Sequence, residues 1–274
     1  MPDTFDIPAI DAALAGTRFG GRLHHFASID STSDLAMAEG ARGQADGTVY
    51  VADEQTAGRG RGDHTWHSEP NNGLYVSALL RPQVAPADAL WLSLIAGIAV
   101  HDAVLQVTGL AADIRWPNDL LLGPQKFGGI LTELNAEATR VRYAVIGIGI
   151  NVNHAQFPGE LAAQATSLRI AASRAWARQP VLISLLKALD REVNKLTESS
   201  RLADQKSAQR DILIRFEAIS SWVRGKRVYV SEDSGYTGVT AGLDEHGFLL
   251  VDTTRGLRRV LSGGVRSAGE GEKE

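Results

Sequence analysis

The sequence predicts an α+β fold built on a mixed, mainly antiparallel sheet. Residues 114–151 contain successive strand-like runs separated by turns, without the intervening helices that parallel connections require. Segments with apolar residues at helical spacing lie on both sides of that region. From Gly225 onward, short strands are punctuated by glycine turns, which is typical of a small β-barrel. We therefore predict two domains, residues 1–223 and 224–274.

Length and composition fit this division. A chain of 274 residues with 44% hydrophobic content can bury a large core and has room for a second, smaller domain. The absence of cysteine excludes disulfides, a thiolate nucleophile and cysteine-ligated metals, and it fits a reducing compartment. The net charge of -4 gives no general attraction to nucleic acid.

The sequence also lacks the features of membrane and secreted proteins. The acidic N-terminus has no apolar core of a signal peptide, and we find no uninterrupted apolar run near the ~20 residues needed to cross a bilayer. We therefore expect a cytoplasmic protein with neither membrane nor nucleic-acid partners.

The strands follow from short apolar runs bounded by turn residues. In the larger domain they are predicted at 23–29, 49–53, 74–80, 114–116, 120–122, 127–134 and 140–151. In the smaller domain they are predicted at 227–230, 238–243 and 248–252.

The helices follow from apolar spacing and from capping residues. Ser31, Thr32, Ser33 and Asp34 supply N-cap oxygens for a helix over 35–39. A second helix runs from Trp91 and stops at Gly109. Pro180, suited to a first turn, opens a third through Leu196, and a fourth spans about 203–219.

The loop Gly58-Arg59-Gly60-Arg61-Gly62 is the first candidate functional motif. Its glycines permit close backbone approach to a ligand, and each arginine offers a planar fork of donors for phosphate or carboxylate oxygens. These residues alone leave two interpretations equally open. One is a ligand-closing anion clamp, and the other is a solvated turn that contains arginines.

Lys126 is the second candidate, because it lies in a predicted strand beside Gly128 and Gly129. An ammonium group in such a place can form an ion pair with an anionic ligand. Taken alone, the residue fits better as a strand-edge lysine that discourages aggregation, because edge lysines are common.

The third motif is Gly147-Ile148-Gly149-Ile150-Asn151-Val152-Asn153, at the end of a strand. Its glycines could permit flat contact with a ring. It is not a dinucleotide fingerprint, because Val152 replaces the third glycine and no helix begins there.

Together these motifs closely resemble the biotin protein ligase family, most strongly over 26–168. Their order and spacing are highly specific. The matching segments are Ser31-Thr32-Ser33, Gln55 to Arg61, Trp66-His67-Ser68, Gly73 to Ser77, Leu80-Arg81-Pro82, Arg115 to Asp119, Lys126 to Glu133 and Gly147 to Asn153. The resemblance implies a class II synthetase-like catalytic domain followed by an SH3-like barrel, in the form without an N-terminal DNA-binding domain.

The resemblance also implies a two-step reaction. Biotin and ATP, with Mg²⁺ carried mainly on the ATP phosphates, give biotinyl-5′-AMP, and biotin then passes to a lysine of a biotin carboxyl carrier protein. Neither step needs a protein nucleophile. We expect a monomer or homodimer.

The resemblance assigns residues to these steps. Lys126 and Arg61 are the catalytic candidates, and Asp119 is a candidate for orienting the attacking lysine or accepting its proton, unless it only forms a turn. The residues expected to bind biotin are Ser31, Thr32, Ser33, Gln55, Gly58, Arg59, Trp66, Lys126 and Gly129. Those expected to bind ATP or the adenylate are Arg59, Arg61, Asn118, Lys126, Gly149 and Asn151.

The chain departs from the family pattern at three places. Asp63-His64 stands where Gly-Arg is usual, so a protonated His64 would have to replace an arginine contact to pyrophosphate. Arg115 replaces a lysine, and Gly263-Gly264-Val265 replaces a Gly-Glu-Val element. The spacing of His64 and His67 does not predict a metal site, because the sequence places no third ligand beside them.

Two other functions remain as alternatives. A lipoate or octanoate ligase or transferase of the same fold would need a long apolar tunnel, whereas Ser31, Thr32 and Gln55 offer the donors and acceptors that a cyclic urea requires. A biotin-responsive regulator would need a helix-turn-helix domain, and only about 25 residues precede the first catalytic strand.

Overall fold

The computed structural model describes residues 4–62, 64–197, 202–261 and 263–269. Asp63 and the charged tail Glu270 to Glu274 lie outside the described residues. Asp63 is one of the two residues after the glycine loop that depart from the family pattern. The helices are α1 (Ile7–Ala13), α2 (Thr32–Ala41), α3 (Leu90–Thr108), α4 (Leu161–Gln164), α5 (Leu168–Ala172), α6 (Arg178–Thr197) and α7 (Leu202–Ile219). The strands are β1 (Leu23–Phe26), β2 (Thr48–Ala52), β3 (Gly73–Leu80), β4 (Asp113–Arg115), β5 (Asp119–Leu122), β6 (Gln125–Ala136), β7 (Val141–Asn151), β8 (Arg224–Val230), β9 (Tyr236–Leu243), β10 (Leu249–Thr253), β11 (Gly256–Arg259) and β12 (Val265–Ser267).

The larger sheet has seven strands in the order β1-β2-β3-β7-β6-β5-β4. Strands β1 and β2 are parallel, and every other neighbouring pair in this sheet is antiparallel. The predicted fold class, a mixed and mainly antiparallel sheet with helices, is therefore confirmed. The long central strands β3, β6 and β7 form the platform on which the candidate site is built.

Helix α3 lies in the core against α6, because it is apolar around most of its circumference. Residues Pro86–Thr108 are long and apolar enough to cross a membrane by length and composition, with a mean hydropathy of 1.7. The sequence analysis did not count this segment, because His101, Asp102 and Gln106 interrupt its apolar run. The 18-residue window of this segment that gives this hydropathy is 61% buried inside the protein, and buried core helices pass the same test of length and composition.

The helix ends follow the local signals in the sequence. The Ser31 hydroxyl accepts a hydrogen bond from the Asp34 backbone N–H at 3.3 Å, so α2 begins three residues earlier than its apolar pattern suggests. Gly109 adopts a left-handed conformation with φ of 75° and ends α3 as predicted. The sequence analysis missed α1, α4 and α5, because segments of four to seven residues carry too few periods to detect.

The smaller sheet has the order β11-β10-β9-β8-β12 and is antiparallel throughout. The sequence analysis missed its two short strands, β11 and β12. The sheet packs on the larger unit through the turn before β10, where Trp116 donates from Nε1 to the carbonyl of Gly247 at 3.0 Å. Gly247 has a φ of 85°, a left-handed conformation that favours glycine, and a Cβ there would also lie 2.6 Å from a Leu94 methyl carbon. The division into domains 1–223 and 224–274 remains a prediction.

Candidate active site

The candidate site lies on the three central strands, whose register aligns the motifs found in the sequence. Gly149 of β7 pairs with Tyr75 of β3 on one side and Gly129 of β6 on the other. Two residues earlier, Gly147 pairs with Ser77 and with Leu131. Antiparallel pairing thus brings segments from three separate motifs into adjacent rows, and α2 and the glycine loop cover them.

A buried network of hydroxyl and amide groups forms the floor of the pocket. The Gln55 Oε1 atom accepts from the Thr32 backbone N–H at 2.9 Å and from the Thr32 hydroxyl at 3.0 Å. Ser77 Oγ lies 2.8 Å from the Thr32 hydroxyl and 3.0 Å from that of Ser33. Hydroxyl groups can both donate and accept, so this floor can satisfy a small polar ring that carries both kinds of group.

The glycine loop directs one of its arginines into a pair of carboxylates. Arg59 Nη2 lies 2.7 Å from Asp34 Oδ1 of α2 and 2.6 Å from Glu133 Oε2 of β6. Burial would lower the pKa of Arg59, but the hydrogen bond and charge of Glu133, together with the charge of Asp34, raise it above its usual range. The guanidinium is thereby held over the pocket.

The other arginine of the loop contacts the C-terminal region. Arg61 Nη1 donates to the carbonyl oxygen of Gly263 at 2.9 Å, in the segment that departs from the family's Gly-Glu-Val element. Because a neutral carbonyl is a weaker partner than an anion, the Arg61 charge can still be attracted to a phosphate. His64 is exposed and does not line the pocket.

Lys126 lies at the opposite wall of the pocket and is bound to Asp119. The distance from Nζ to Asp119 Oδ1 is 2.5 Å, and Arg115 Nη2 lies 2.7 Å from Asp119 Oδ2. Burial would raise the pKa of Asp119, but the charges and hydrogen bonds of Lys126 and Arg115 outweigh it and hold this pKa below its usual range. Asp119 is therefore ionised between Lys126 and Arg115 and is a weaker base than a free aspartate.

Trp66 closes the pocket above two glycines. A Cβ on Gly149 would lie 2.5 Å from Trp66 Cε2, and one on Gly129 would lie 3.1 Å from Trp66 Cζ3. Lys126 Nζ lies 5.7 Å from the centre of the indole ring. The Trp66 Nε1 atom is buried and has no hydrogen-bond partner within the described part of the chain, so a ligand acceptor in the pocket could satisfy it.

The structure brings most of the predicted site residues together. The predicted residues that line the pocket are Ser31, Thr32, Ser33, Gln55, Arg59, Arg61, Trp66, Asn118, Lys126, Gly129 and Gly149. Asp119 contacts Lys126 but does not itself line the pocket. Gly58 and Asn151 do not line this pocket, and the Asn151 amide instead donates to the Thr166 carbonyl at 3.1 Å.

Sequence reasoning missed two side chains that shape the site. Ser77 is buried in strand β3 and completes the hydroxyl network, and Glu133 holds Arg59. A serine within the apolar run 74–80 was a detectable signal, because a buried hydroxyl needs partners. The pairing of Glu133 with Arg59 had no local signal, since 74 residues separate them.

Known proteins are similar to this chain in sequence and in structure. Residues 25–151 match the Biotin/lipoate A/B protein ligase family. The chain is 34% identical over 248 residues to the bifunctional ligase/repressor BirA of Bacillus subtilis, covering 90% of this chain and 74% of that protein. It is 32% identical over 259 residues to the biotin–[acetyl-CoA-carboxylase] ligase of Mycobacterium tuberculosis, covering 92% and 91%.

The structural comparison agrees with the sequence comparison. The biotin protein ligase of Aquifex aeolicus, solved in complex with biotin and ATP, superposes with a TM-score of 0.74 and 31% identity. The superposition covers 90% of this chain and 98% of that one. Sequence identity and fold agree over about 90% of the chain. This protein therefore belongs to the biotin protein ligases of the Biotin/lipoate A/B protein ligase family.

Proposed function

We propose that this protein is an ATP-dependent biotin–protein ligase. It forms biotinyl-5′-AMP from biotin and ATP and then transfers biotin to a lysine of a biotin carboxyl carrier protein. The observation that carries the proposal is one pocket in which a buried hydroxyl and amide floor lies beside three cationic side chains, Arg59, Arg61 and Lys126. The relatives that support it are a bifunctional ligase/repressor, a biotin–[acetyl-CoA-carboxylase] ligase and a biotin protein ligase solved with biotin and ATP.

The floor of the pocket suits the cyclic urea of biotin. A ureido group offers one carbonyl acceptor and two N–H donors. Thr32, Ser33, Ser77 and Gln55 supply hydroxyl and amide groups of both kinds within one network. A site built on such groups rejects acids that lack them, because its buried polar groups would be left unpaired. Ser31 and Gly129, which also line the pocket, complete the proposed biotin site.

In the first step, the biotin carboxylate attacks the α-phosphorus of ATP, an anhydride bond forms and pyrophosphate leaves. The carboxylate is already ionised at neutral pH, so no general base is needed. The protein supplies position and positive charge for the phosphoryl oxygens. We assign this role to Lys126 and Arg61, with Arg59, Asn118 and Gly149 around the adenylate.

In the second step, the neutral amine of the carrier lysine attacks the carbonyl carbon of the adenylate. An amide bond forms, AMP leaves, and the amine proton passes to solvent or a nearby base. Asp119 has a lowered pKa, so we propose that it orients Lys126 and does not act as the proton acceptor.

Mg²⁺ is proposed to arrive with ATP. The described residues that line the pocket include no carboxylate, which is the ligand that Mg²⁺ prefers in proteins. The donor set therefore does not fit a dedicated magnesium cage, and the ion is expected to be held by substrate phosphates.

The finer assignments are proposals as well. We propose a catalytic domain over 1–223, an SH3-like domain over 224–274, a cytoplasmic location and a monomer or homodimer. We also propose that the chain does not bind nucleic acid. The support is a net charge of -4, the absence of cysteine, and a five-stranded sheet that begins at Arg224.

The test is incubation with biotin, MgATP and a biotin carboxyl carrier domain, followed by intact-mass analysis of the carrier. One added biotinyl group is expected, and none when ATP is omitted or the target lysine is changed to arginine. An unmodified carrier, with active relatives working in parallel, would overturn the proposal.

Two controls separate the alternatives. Pyrophosphate exchange into ATP driven by lipoate or octanoate, and not by biotin, would indicate the related acyl ligases. A sequence-specific mobility shift of duplex DNA at physiological salt would indicate a regulator. We expect exchange with biotin alone and no shift.

A further inference from the structure

Three side chains outside the proposed reaction form a compact cluster. His67 and Glu69 lie between the glycine loop and β3, and His154 follows the end of β7. One potential ligand atom from each lies within 4.8 Å of the other two. His64, which the sequence analysis compared with His67 as a possible pair, is not a member.

The sheet explains why distant segments meet here. Gly73 at the start of β3 pairs with Asn151 at the end of β7. The segment before β3 and the segment after β7 therefore leave the sheet at the same end of these two neighbouring strands. Beyond the strands, the Asn72 carbonyl accepts from the backbone N–H of Val152 at 3.1 Å and from that of Asn153 at 2.6 Å. The backbone on both sides of the cluster is therefore fixed by hydrogen bonds.

His154 is the buried member. Its side chain is 0% exposed, and neither ring nitrogen has a hydrogen-bond partner among the described residues. The ring stacks on Phe157 at 5.1 Å between centroids, and the backbone carbonyl accepts from Ser167 Oγ at 2.7 Å. A buried imidazole without a partner is unfavourable, and a metal ion bound to its lone pair would remove that cost.

His67 and Glu69 are the accessible members. His67 is exposed, and its ring centroid lies 5.9 Å from that of His154. A Glu69 carboxylate oxygen lies 3.9 Å from His154 Nε2. Around a tetrahedral zinc ion, ligand atoms lie about 3.3 Å apart, given bonds of about 2.0–2.1 Å. Small movements of the two accessible side chains toward fixed His154 would reach that spacing.

We propose that His67, Glu69 and His154 bind a divalent transition metal ion of the zinc class. Two imidazoles and one carboxylate suit Zn²⁺, and the exposed side of the cluster leaves a coordination position for water. His154 is available as a ligand, because its ring is buried and neither ring nitrogen has a hydrogen-bond partner among the described residues.

The ion would tie the segment between the glycine loop and β3 to the segment that follows β7. Trp66, which closes the pocket, directly precedes His67, and Ser68 Oγ accepts from the pocket residue Gln55 at 3.3 Å. Bound zinc would therefore restrict the backbone that positions Trp66. It would act as a structural ion beside the pocket and take no part in the reaction.

The test is titration of the untagged, chelator-stripped chain with ZnCl₂ by isothermal calorimetry. One saturable site per chain is expected, with a melting temperature that rises with zinc concentration. His67→Ala, Glu69→Gln and His154→Phe should each weaken zinc binding at least about tenfold. The first two change accessible side chains, so they remain informative if His154→Phe fails to fold.

His246→Ala is the matched control. His246 lies on the surface 3.8 Å from Glu245, a histidine–glutamate pair outside the cluster, so its loss should leave the site unchanged. Zinc should also slow amide hydrogen exchange over 66–72 and 152–154. Non-saturating binding, or binding by His67→Ala as tight as that of the unmodified chain, would overturn the proposal.

Discussion

Arg61 of the glycine loop donates a hydrogen bond from Nη1 to the carbonyl oxygen of Gly263, 202 residues later in the chain, at 2.9 Å. The contact joins the loop that covers the pocket to the segment before β12. Because the acceptor is neutral, an adenylate phosphate would be the stronger partner for the guanidinium. The loop and the C-terminal segment thus meet at the proposed phosphate end of the pocket.

Arg61→Gly should retain adenylate synthesis but release biotinyl-AMP faster. Loss of a charge-assisted contact costs on the order of 1.5–3 kcal/mol, or about ten- to a hundredfold in the dissociation rate. Released adenylate would then biotinylate lysines of added serum albumin. Albumin labelling and the dissociation rate of the adenylate are the measurements. Arg42→Ala, which removes an exposed arginine paired with Glu39, should change neither. Unchanged values for Arg61→Gly would contradict its role as a phosphate clamp.

Lys126→Ala should reduce adenylate formation by about a hundred- to a thousandfold, because the ammonium is proposed to stabilise charge that develops only during attack on the α-phosphorus. Single-turnover formation of biotinyl-AMP is the measurement. Transfer from supplied biotinyl-AMP to the carrier should fall much less. Lys187→Ala, on the exposed side of α6, provides the control. A normal burst in Lys126→Ala would assign the charge stabilisation elsewhere.

Asp119 should make stability depend on pH in the acidic range. Its folded-state pKa is lowered below the ordinary value of 3.8, so its ion pairs stabilise the fold above that value. This contribution is lost as pH falls through the lowered pKa, because the unfolded state binds the proton at a higher pH than the folded state does and is therefore favoured by acid. The difference in urea midpoint between the unmodified chain and Asp119→Asn should be constant from about pH 7 to 5 and shrink below about pH 4. A difference that persists to pH 2 would rule out the ion pairs as its source.

Gly149→Ala should weaken biotin binding by about ten- to a hundredfold, because its Cβ would lie 2.5 Å from Trp66 and displace the indole that closes the pocket. Calorimetric titration with biotin measures the effect. Gly269→Ala is the control, since a Cβ there meets nothing within 4 Å. In a Trp66→Ala background the Gly149→Ala change should cost little more, and additive losses would show that the two residues are not coupled.

Local signals predicted the elements that local physics controls. Ser31 caps α2 and Gly109 ends α3, because each satisfies backbone groups within its own turn. The long strands were predicted from apolar runs, and only their ends shifted. The prediction for β1 extended to Ile29, whereas the strand ends at Phe26 and Ile29 forms only an isolated bridge with Gln55.

Motifs in the sequence predicted the main residues of the candidate site, but they did not predict the side chains that contact those residues. Arg59, Arg61 and Lys126 were selected as cations for anionic ligands, and all three line the pocket. Ser77 and Glu133 were missed. In the same way, the sequence placed no third ligand near His64 and His67, whereas the fold brings His154 to His67 from 87 residues further along the chain.

The sequence by itself determined the long strands and helices, the cap of α2, the end of α3 and the supply of cations and hydroxyls, because propensity, capping and periodicity act over a few residues. Only the tertiary structure decided which of these groups meet. The register between β3, β7 and β6 aligns Tyr75, Gly149 and Gly129 in one row. The pairing of β3 with β7 also brings His67, before β3, close to His154, after β7. Register is fixed by burying whole strand faces, so it depends on the entire core and is not written in any one segment.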